Sequence, residues 1–305
     1  MSITIKNQTI PSILTSSFAG HDGDGMFPLS LLPSYRKLMK IILETGSGNI
    51  TKSATRWPHI GNFRLLKPWT WRCIQNIGNR GMLNAYGLTN PGVEAIAPKI
   101  ARAIAKGFKV IPSFYPQFIH GQAKAIEETG QAIEIYHHYM EFSFWVLELN
   151  FSCPNSAEKI KENMADAVAL IKDIKQKYPW LCLIAKISFV HPQSFAQELV
   201  SAGVDIIHAI NTIPHDLVYP DARSPLADLG GGGVSGGPIF RQAYEYNKRL
   251  RETLPQSVPM IMGGGVSDVS DAEKYYCIDA KAVSICTVCR LIPKEAERIV
   301  MANWN

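Results

Sequence analysis

Residues 145–151 (WVLELNF), 181–188 (LCLIAKIS) and 204–211 (VDIIHAIN) are the runs whose reading decides the fold. Each is short, nearly continuously apolar and rich in β-branched residues. The intervening stretches 163–177 and 193–202 carry apolar residues at helical spacing. A strand that is hydrophobic throughout, rather than in alternation, suits a parallel sheet covered on both faces. Working outward, the same unit recurs. Further runs stand at 11–17, 49–54, 109–115, 259–265 and 282–287, with helical patterns at 29–43, 93–106, 117–141, 240–254, 268–277 and 293–302. Ser267-Asp268 reads as a helix start and Ala202-Gly203 as a helix stop. Eight strand–helix units predict an α/β protein of the (β/α)8 TIM-barrel type, whose usual size is ~250 residues. A doubly wound parallel sheet fits the same periodicity. The 305 residues are read as a single domain with a decorated loop over 55–90, where Trp57, Trp69 and Trp71 stand with Pro58 and Pro68, prolines that disfavour a regular helix.

Composition narrows the functions available. Apolar residues make up 46% and charged residues 19%, as in an ordinary globular protein rather than a disordered one. No apolar run approaches the ~20 residues of a spanning helix. The start, MSITIKNQ, lacks a basic region followed by an apolar stretch, so neither export nor a membrane is expected, and the cytoplasm is the expected compartment. The net charge of +5 is mild and its basic residues are scattered, which suits anionic small molecules and argues against nucleic acid. Six cysteines without regular spacing do not form a disulfide framework, and Cys286-x-x-Cys289 has neither a second pair nor a nearby histidine to make a zinc site.

Chemistry is expected where polar residues stand at the carboxyl ends of the apolar runs, since barrel and open-sheet sites are built there. Asn150, Ser152, Cys153 and Asn155 close the fourth strand, Lys186 lies within the fifth, Asn211 and Thr212 end the sixth, and Lys52 is read within the second. Taken singly, each is a satisfied polar group at a strand end. Taken together they make a site, because an unpaired ammonium inside a barrel is costly. Residues 230–237 (GGGGVSGG) precede a helix and 263–265 (GGG) follow the seventh strand. Glycine lets the backbone approach a ligand closely, and helix starts favour phosphate. Gly231-x-Gly233-x-x-Gly236 matches the dinucleotide fingerprint in form, yet no strand directly precedes it and no βαβ unit begins there, so it is a weak dinucleotide signal.

In chain order, 82–92 (MLNAYGLTNPG), 150–155 (NFSCPN), 232–236 (GGVSG) and the glycines after the seventh strand resemble the class 1 dihydroorotate dehydrogenases, over about residues 11–287. The resemblance implies an FMN-containing (β/α)8 barrel that oxidises dihydroorotate to orotate in de novo pyrimidine biosynthesis. It implies Cys153 as the catalytic base. Lys52, Asn84, Asn150, Asn155, Asn211 and Thr212 match positions that hold the substrate. Thr15, Ser16, Lys52, Lys186, Ser235, Gly236, Gly264, Gly265, Cys286 and Thr287 match positions around the flavin and its phosphate. Class 2 enzymes carry Ser in place of Cys153 and add an N-terminal membrane-associating region; this sequence has neither. The glycine-rich segment and 82–84 are closer to the 1B catalytic subunit than to fumarate-using 1A. The resemblance therefore implies a homodimer and an FAD/iron–sulfur partner subunit that passes electrons to NAD, and this chain has no cluster-type cysteine array of its own.

The chemistry gives these residue types a reason. Forming the ring double bond of orotate removes a proton from C5 and a hydride from C6. A thiol of pKa ~8.5 is far nearer working pH than a serine hydroxyl, and flavin chemistry accepts the hydride. Lys186 would stabilise negative charge on the reduced flavin, Lys52 would face the substrate carboxylate, and asparagines pair with amide donors and acceptors without adding charge. Three departures stand out. Residues 156–162 are shorter than the substrate-covering loop usual in the family, Cys286 stands where glycine is usual and so requires a negative φ, and 21–25 and 57–79 have no match. Two other readings stand beside this one: a related flavin-dependent dihydropyrimidine-type reductase, and a non-redox phosphate-binding barrel.

Overall fold

In the computed structural model, which describes residues 2–5, 7–152 and 163–304, the apolar runs close into one parallel ring. The barrel strands, numbered in chain order, are β1 (Ile13–Ser16), β2 (Gly48–Ile50), β3 (Lys109–Ile111, continued by Ser113–Phe114), β4 (Val146–Asn150), β5 (Cys182–Ile187), β6 (Ile206–Ala209), β7 (Met260–Gly263) and β8 (Ala282–Ile285). Each pairs in parallel with the next, and β8 pairs with β1. Closure falls in β3. Pro112 has no N–H to give to a ladder, so the first half of β3 bonds to β2 and the second half to β4. The Thr51 hydroxyl bridges the break by accepting the Ser113 N–H at 3.0 Å. The fold is the TIM barrel that the sequence predicts, and the open doubly wound sheet is excluded.

A main helix follows each strand: α1 (Pro33–Thr45), α2 (Val93–Ala105), α3 (Gln122–Met140), α4 (Met164–Lys177), α5 (Gln193–Ser201), α6 (Phe240–Thr253), α7 (Val269–Cys277) and α8 (Pro293–Met301), with the short helices His215–Val218 and Thr287–Leu291 preceding α6 and α8. Asp268 caps α7, accepting the Asp271 N–H at 3.0 Å. Two helices begin later than their apolar patterns. Pro33 forces Leu32 into an extended conformation, so Leu29–Leu31 is a separate 3-10 turn before α1. Gly121, at φ 88°, likewise separates Phe118–His120 from α3. Among the described residues no helix is long and apolar enough to cross a membrane.

Strand periodicity divides the core in two. One set of side chains packs outward beneath the helices, and the other fills the barrel: Leu14, Ile50, Ile111, Val146, Cys182, Ile184, Ile206, Ile261 and Ala282. The amino end of the barrel is plugged by an antiparallel hairpin, Ser2–Ile5 with Gln8–Pro11, which the sequence reading does not anticipate. Its cross-strand pair Ile3 and Ile10 joins the interior cluster. Above the apolar layers the inward positions turn polar: Glu148, His208 and Ser284 from alternate strands, then Ser16, Ser113 and Lys186.

The carboxyl end is roofed by a four-stranded antiparallel sheet in the order Ile213–Pro214, Gly233–Gly236, Gly81–Asn84, Ile74–Ile77. This corrects two expectations. The segment 55–90 is not only an irregular loop, since it supplies two of these strands and the 3-10 turn Pro68–Cys73. The glycine run is in part a strand, with Gly233 facing Asn84 and Gly236 facing Gly81. Gly236 has φ 80°, and a Cβ there would lie 2.3 Å from the Arg80 carbonyl oxygen, so only glycine lets the two strands meet.

Leu14 is fully buried inside the ring. Leu14→Ala is therefore expected to cost about 3 kcal/mol, seen as a lower urea midpoint with an unchanged slope. A loss below about 1 kcal/mol would show that the interior is not close-packed.

Candidate active site

A cavity of about 440 Å³ opens between the carboxyl ends of the barrel strands and the antiparallel roof. It is the place where the inward-facing strand ends converge, because odd and even residues of a strand point to opposite faces. Of the residues expected from the sequence, Ser16, Lys52, Asn84, Asn150, Lys186, Asn211, Thr212, Ser235, Gly236, Gly264, Gly265, Cys286 and Thr287 all line it. Thr15 does not: it is fully buried and its hydroxyl donates to the Gly48 carbonyl and to Asn49 Oδ1, each at 3.2 Å. Cys153 and Asn155 lie outside the described residues. Lys52 is not within β2, which ends at Ile50; it reaches the cavity from the following segment.

The polar lining is largely pre-ordered. Asn150 Nδ2 donates to Ser53 Oγ at 2.8 Å, and its Oδ1 accepts from the Ser152 backbone at 3.0 Å and hydroxyl at 2.8 Å. Asn211 Nδ2 donates to the Ser152 carbonyl at 2.9 Å, and Asn84 Nδ2 to the Gly233 carbonyl at 3.4 Å. The Lys52 ammonium donates to the Thr89 carbonyl at 3.1 Å and stands over the Tyr86 ring. Thr287 Oγ1 donates to Ser235 Oγ at 2.9 Å. The Thr212 hydroxyl is the exception: it is buried and has no partner among the described residues. Lys186, only 9% exposed, likewise makes no hydrogen bond or ion pair with another described residue.

At the glycine end the backbone itself forms the wall. Gly265 has φ 83°, and a Cβ on it would lie 2.4 Å from Phe240 Cα, so the turn after β7 sits directly on the first residue of α6. Tyr275 pins this turn by donating to the Gly263 and Gly264 carbonyls at 3.1 and 2.8 Å. Cys286 meets the condition set for a non-glycine residue, with φ −137°. Its thiol opens onto the cavity yet lies deep among protein atoms, and this burial pushes its pKa up.

Several cavity residues escaped the sequence reading. Beneath the floor, His208 Nδ1 lies 2.6 Å from Glu148 Oε2 and its Nε2 lies 2.8 Å from Ser284 Oγ. Ser113 Oγ donates to Glu148 Oε1 at 2.8 Å and shares a hydrogen bond with Ser53 Oγ, also at 2.8 Å, so the network runs on to Asn150. Burial alone would raise the Glu148 pKa, but the Lys186 charge and the hydrogen bonds from His208 and Ser113 hold it below the usual range. Burial lowers the His208 pKa despite Glu148, leaving a neutral ring. A signal for this pair was available: Glu148 shares strand parity with Asn150, and His208 pairs in register with Lys186.

Lys99, Arg290 and His21 also line the cavity. Among the described residues the cationic lining side chains are Lys52, Lys99, Lys186 and Arg290, against one carboxylate, Asp22, so this lining favours an anion.

A (β/α)8 barrel with a cationic, asparagine-rich cavity at the carboxyl ends of its strands has the architecture of a barrel enzyme. The dihydroorotate dehydrogenase family model matches residues 37–300, and the chain belongs to that family. It is 28% identical over 301 residues to a protein of Oceanobacillus iheyensis described as dihydroorotate dehydrogenase B (NAD(+)), catalytic subunit, covering 93% of this chain and 84% of that one. A protein of Geotalea uraniireducens with the same description is 30% identical over 266 residues, covering 84% and 80%. The ligand-free DHODH structure from Eimeria tenella superposes with a TM-score of 0.72 at 17% identity, over 98% of this chain and 85% of that one, a likeness of fold.

His21 gives the site a pH signature. Burial lowers its pKa to about 4, and its Nε2 lies 3.3 Å from the Lys52 carbonyl. The unfolded chain binds this proton near the ordinary value of 6.5, the folded chain only near 4, so stability falls as pH drops from 6.5 towards 4. Melting curves across that window should show a steeper acid-side loss for the wild type than for His21→Gln. Parallel curves would refute the assignment.

Proposed function

We propose that this protein is an FMN-dependent dihydroorotate dehydrogenase, which oxidises dihydroorotate to orotate in pyrimidine biosynthesis. The observation that carries the reading is the nine-tenths-buried Lys186 ammonium, which has no hydrogen-bond or ion-pair partner among the described residues and shares one cavity with Lys52, Asn84, Asn150, Asn211 and a Thr212 hydroxyl likewise without a partner among them, in a chain of this family. FMN suits the residues present. A cavity with a glycine wall resting on the start of α6 matches a phosphate held by backbone N–H groups, and the cationic and hydroxyl groups lining it match a polar ring. Ser16, Lys186, Ser235, Gly236, Gly264, Gly265, Cys286 and Thr287 would hold the cofactor. When bound, FMN supplies the hydride acceptor.

The protein's own groups do the rest. The Lys52 ammonium meets the substrate carboxylate, and the asparagines pair with the ring amides. An analogue lacking those groups would leave buried polar atoms unsatisfied. Lys186 offers positive charge where reduction builds negative charge. The Cys153 thiolate would take the C5 proton, and the substrate would give up its C6 hydrogen as hydride, so that one proton and one hydride, together two protons and two electrons, leave the ring. The relatives described as NAD(+)-linked catalytic subunits support the further proposal that the electrons pass to NAD through a partner subunit carrying FAD and an iron–sulfur cluster.

The purified protein should be yellow and should bleach anaerobically on adding dihydroorotate. Uncharged dihydropyrimidines should bleach it far more slowly, and faster bleaching by those would favour the dihydropyrimidine-type reductase. A flavin-loaded protein that stays oxidised with dihydroorotate would overturn the proposal. Cys153→Ala should keep the colour while slowing reduction by about 10²–10⁴-fold in stopped flow.

A further inference from the structure

We infer that His208 is a positioning residue: by holding Glu148 Oε2 it keeps that carboxylate from pairing with Lys186, and so leaves the Lys186 ammonium facing the cavity. The inference rests on the flavin reading above.

Three inward-facing ionisable side chains meet on adjacent strands, since Lys186 of β5 stands in register with His208 of β6 and with Asn150 of β4, one inward position above Glu148. There is one carboxylate and two basic groups. In a medium that solvates poorly, a buried carboxylate and a buried ammonium this close attract strongly, so a direct Glu148–Lys186 pair is the arrangement to expect. It does not form. Each carboxylate oxygen is instead oriented by another donor, Oε1 by the Ser113 hydroxyl at 2.8 Å and Oε2 by His208 Nδ1 at 2.6 Å.

The tautomer follows from the partners. An ionised carboxylate only accepts, so His208 Nδ1 carries the proton, and the neutral ring's Nε2 accepts from Ser284 Oγ–H at 2.8 Å. The ring is thus held at both nitrogens, as a second layer of hydrogen bonds holds a ligating histidine. The main chain leaves room for this: a Cβ on Gly263 would lie 2.2 Å from Ser284 Oγ. Stability does not require the device, because an apolar layer of similar volume is often as stable as a buried ionic one. What the layer does provide is a buried ammonium with no ion-pair partner among the described residues.

Sulfite tests this without turnover. It adds to protein-bound flavin and leaves negative charge on the ring, so its dissociation constant, read from flavin bleaching, reports the cationic field beside it. With the flavin-loaded protein, His208→Leu should weaken sulfite binding by about tenfold or more, as expected when a charged group changes hydrogen-bond partner. His208→Gln, whose amide can donate to the same oxygen, should stay close to the wild type. The double variant Glu148→Gln/His208→Leu has no carboxylate left to capture Lys186 and should recover wild-type affinity. It strands no carboxylate and buries no charge beyond the Lys186 ammonium that the wild type already carries, and so decides the matter if His208→Leu does not fold. Wild-type affinity in folded His208→Leu, or a double variant as weak as Lys186→Met, would overturn the inference alone. A wild-type chain that takes up no flavin would overturn the functional reading and this inference with it.

Discussion

Closure of an eight-stranded parallel ring is the constraint on which everything else depends. Once the sheet closes through the split third strand, alternate side chains of every strand enter a small enclosed interior. That interior must be filled by what the strands carry. Towards the amino end they carry Leu14, Ile184, Ile206 and Ile261, and the hairpin pair Ile3 and Ile10 seals it. Towards the carboxyl end they carry Glu148, His208, Ser284 and Lys186, and no apolar plug covers them. The cavity is where the packed interior gives way to polar groups, and its place follows from strand parity.

Placing ionisable groups at that boundary has a large desolvation cost unless each group has partners. The structure meets it by chaining them: Ser284, His208, Glu148, Ser113, Ser53, Asn150 and Ser152 form one continuous hydrogen-bonded path, which ends where Asn211 joins the Ser152 carbonyl. Such a path fixes the rotamers of the cavity asparagines before any ligand arrives, which lowers the ordering cost of binding. Outside it stand the Lys186 ammonium and the Thr212 hydroxyl, which have no hydrogen-bond partner among the described residues and line the cavity. The roof contributes in another way. Cross-strand pairing of Gly81–Asn84 with Gly233–Gly236 carries Asn84 and Ser235 to the cavity from segments far apart in the chain.

Much of this is legible in the residues. Eight apolar runs locate the barrel strands to within a few positions, and the polar residues that interrupt or end them nearly all reach the cavity. The failures have physical causes. Thr15 was assigned to the flavin surroundings by the family resemblance, and its side chain points away from the cavity to Asn49 because it has the opposite parity to Ser16. Lys52 was read within a strand that ends two residues earlier. The hairpin and the roof strands are only two to four residues long, too short for a periodicity to register. Glu148 and His208 were in view within apolar runs, but their partnership joins residues 60 positions apart on strands that never touch.

By itself, then, the sequence determined the class of fold, the strand ends that would carry polar groups, and the family. These depend on local hydrophobic periodicity and on short motifs, both written in consecutive residues. Only the tertiary structure decided which polar groups satisfy one another and which stay unpaired at the cavity. That depends on shear and register around a closed ring, where a hydrogen bond between alternate strands is set by geometry the linear chain does not contain.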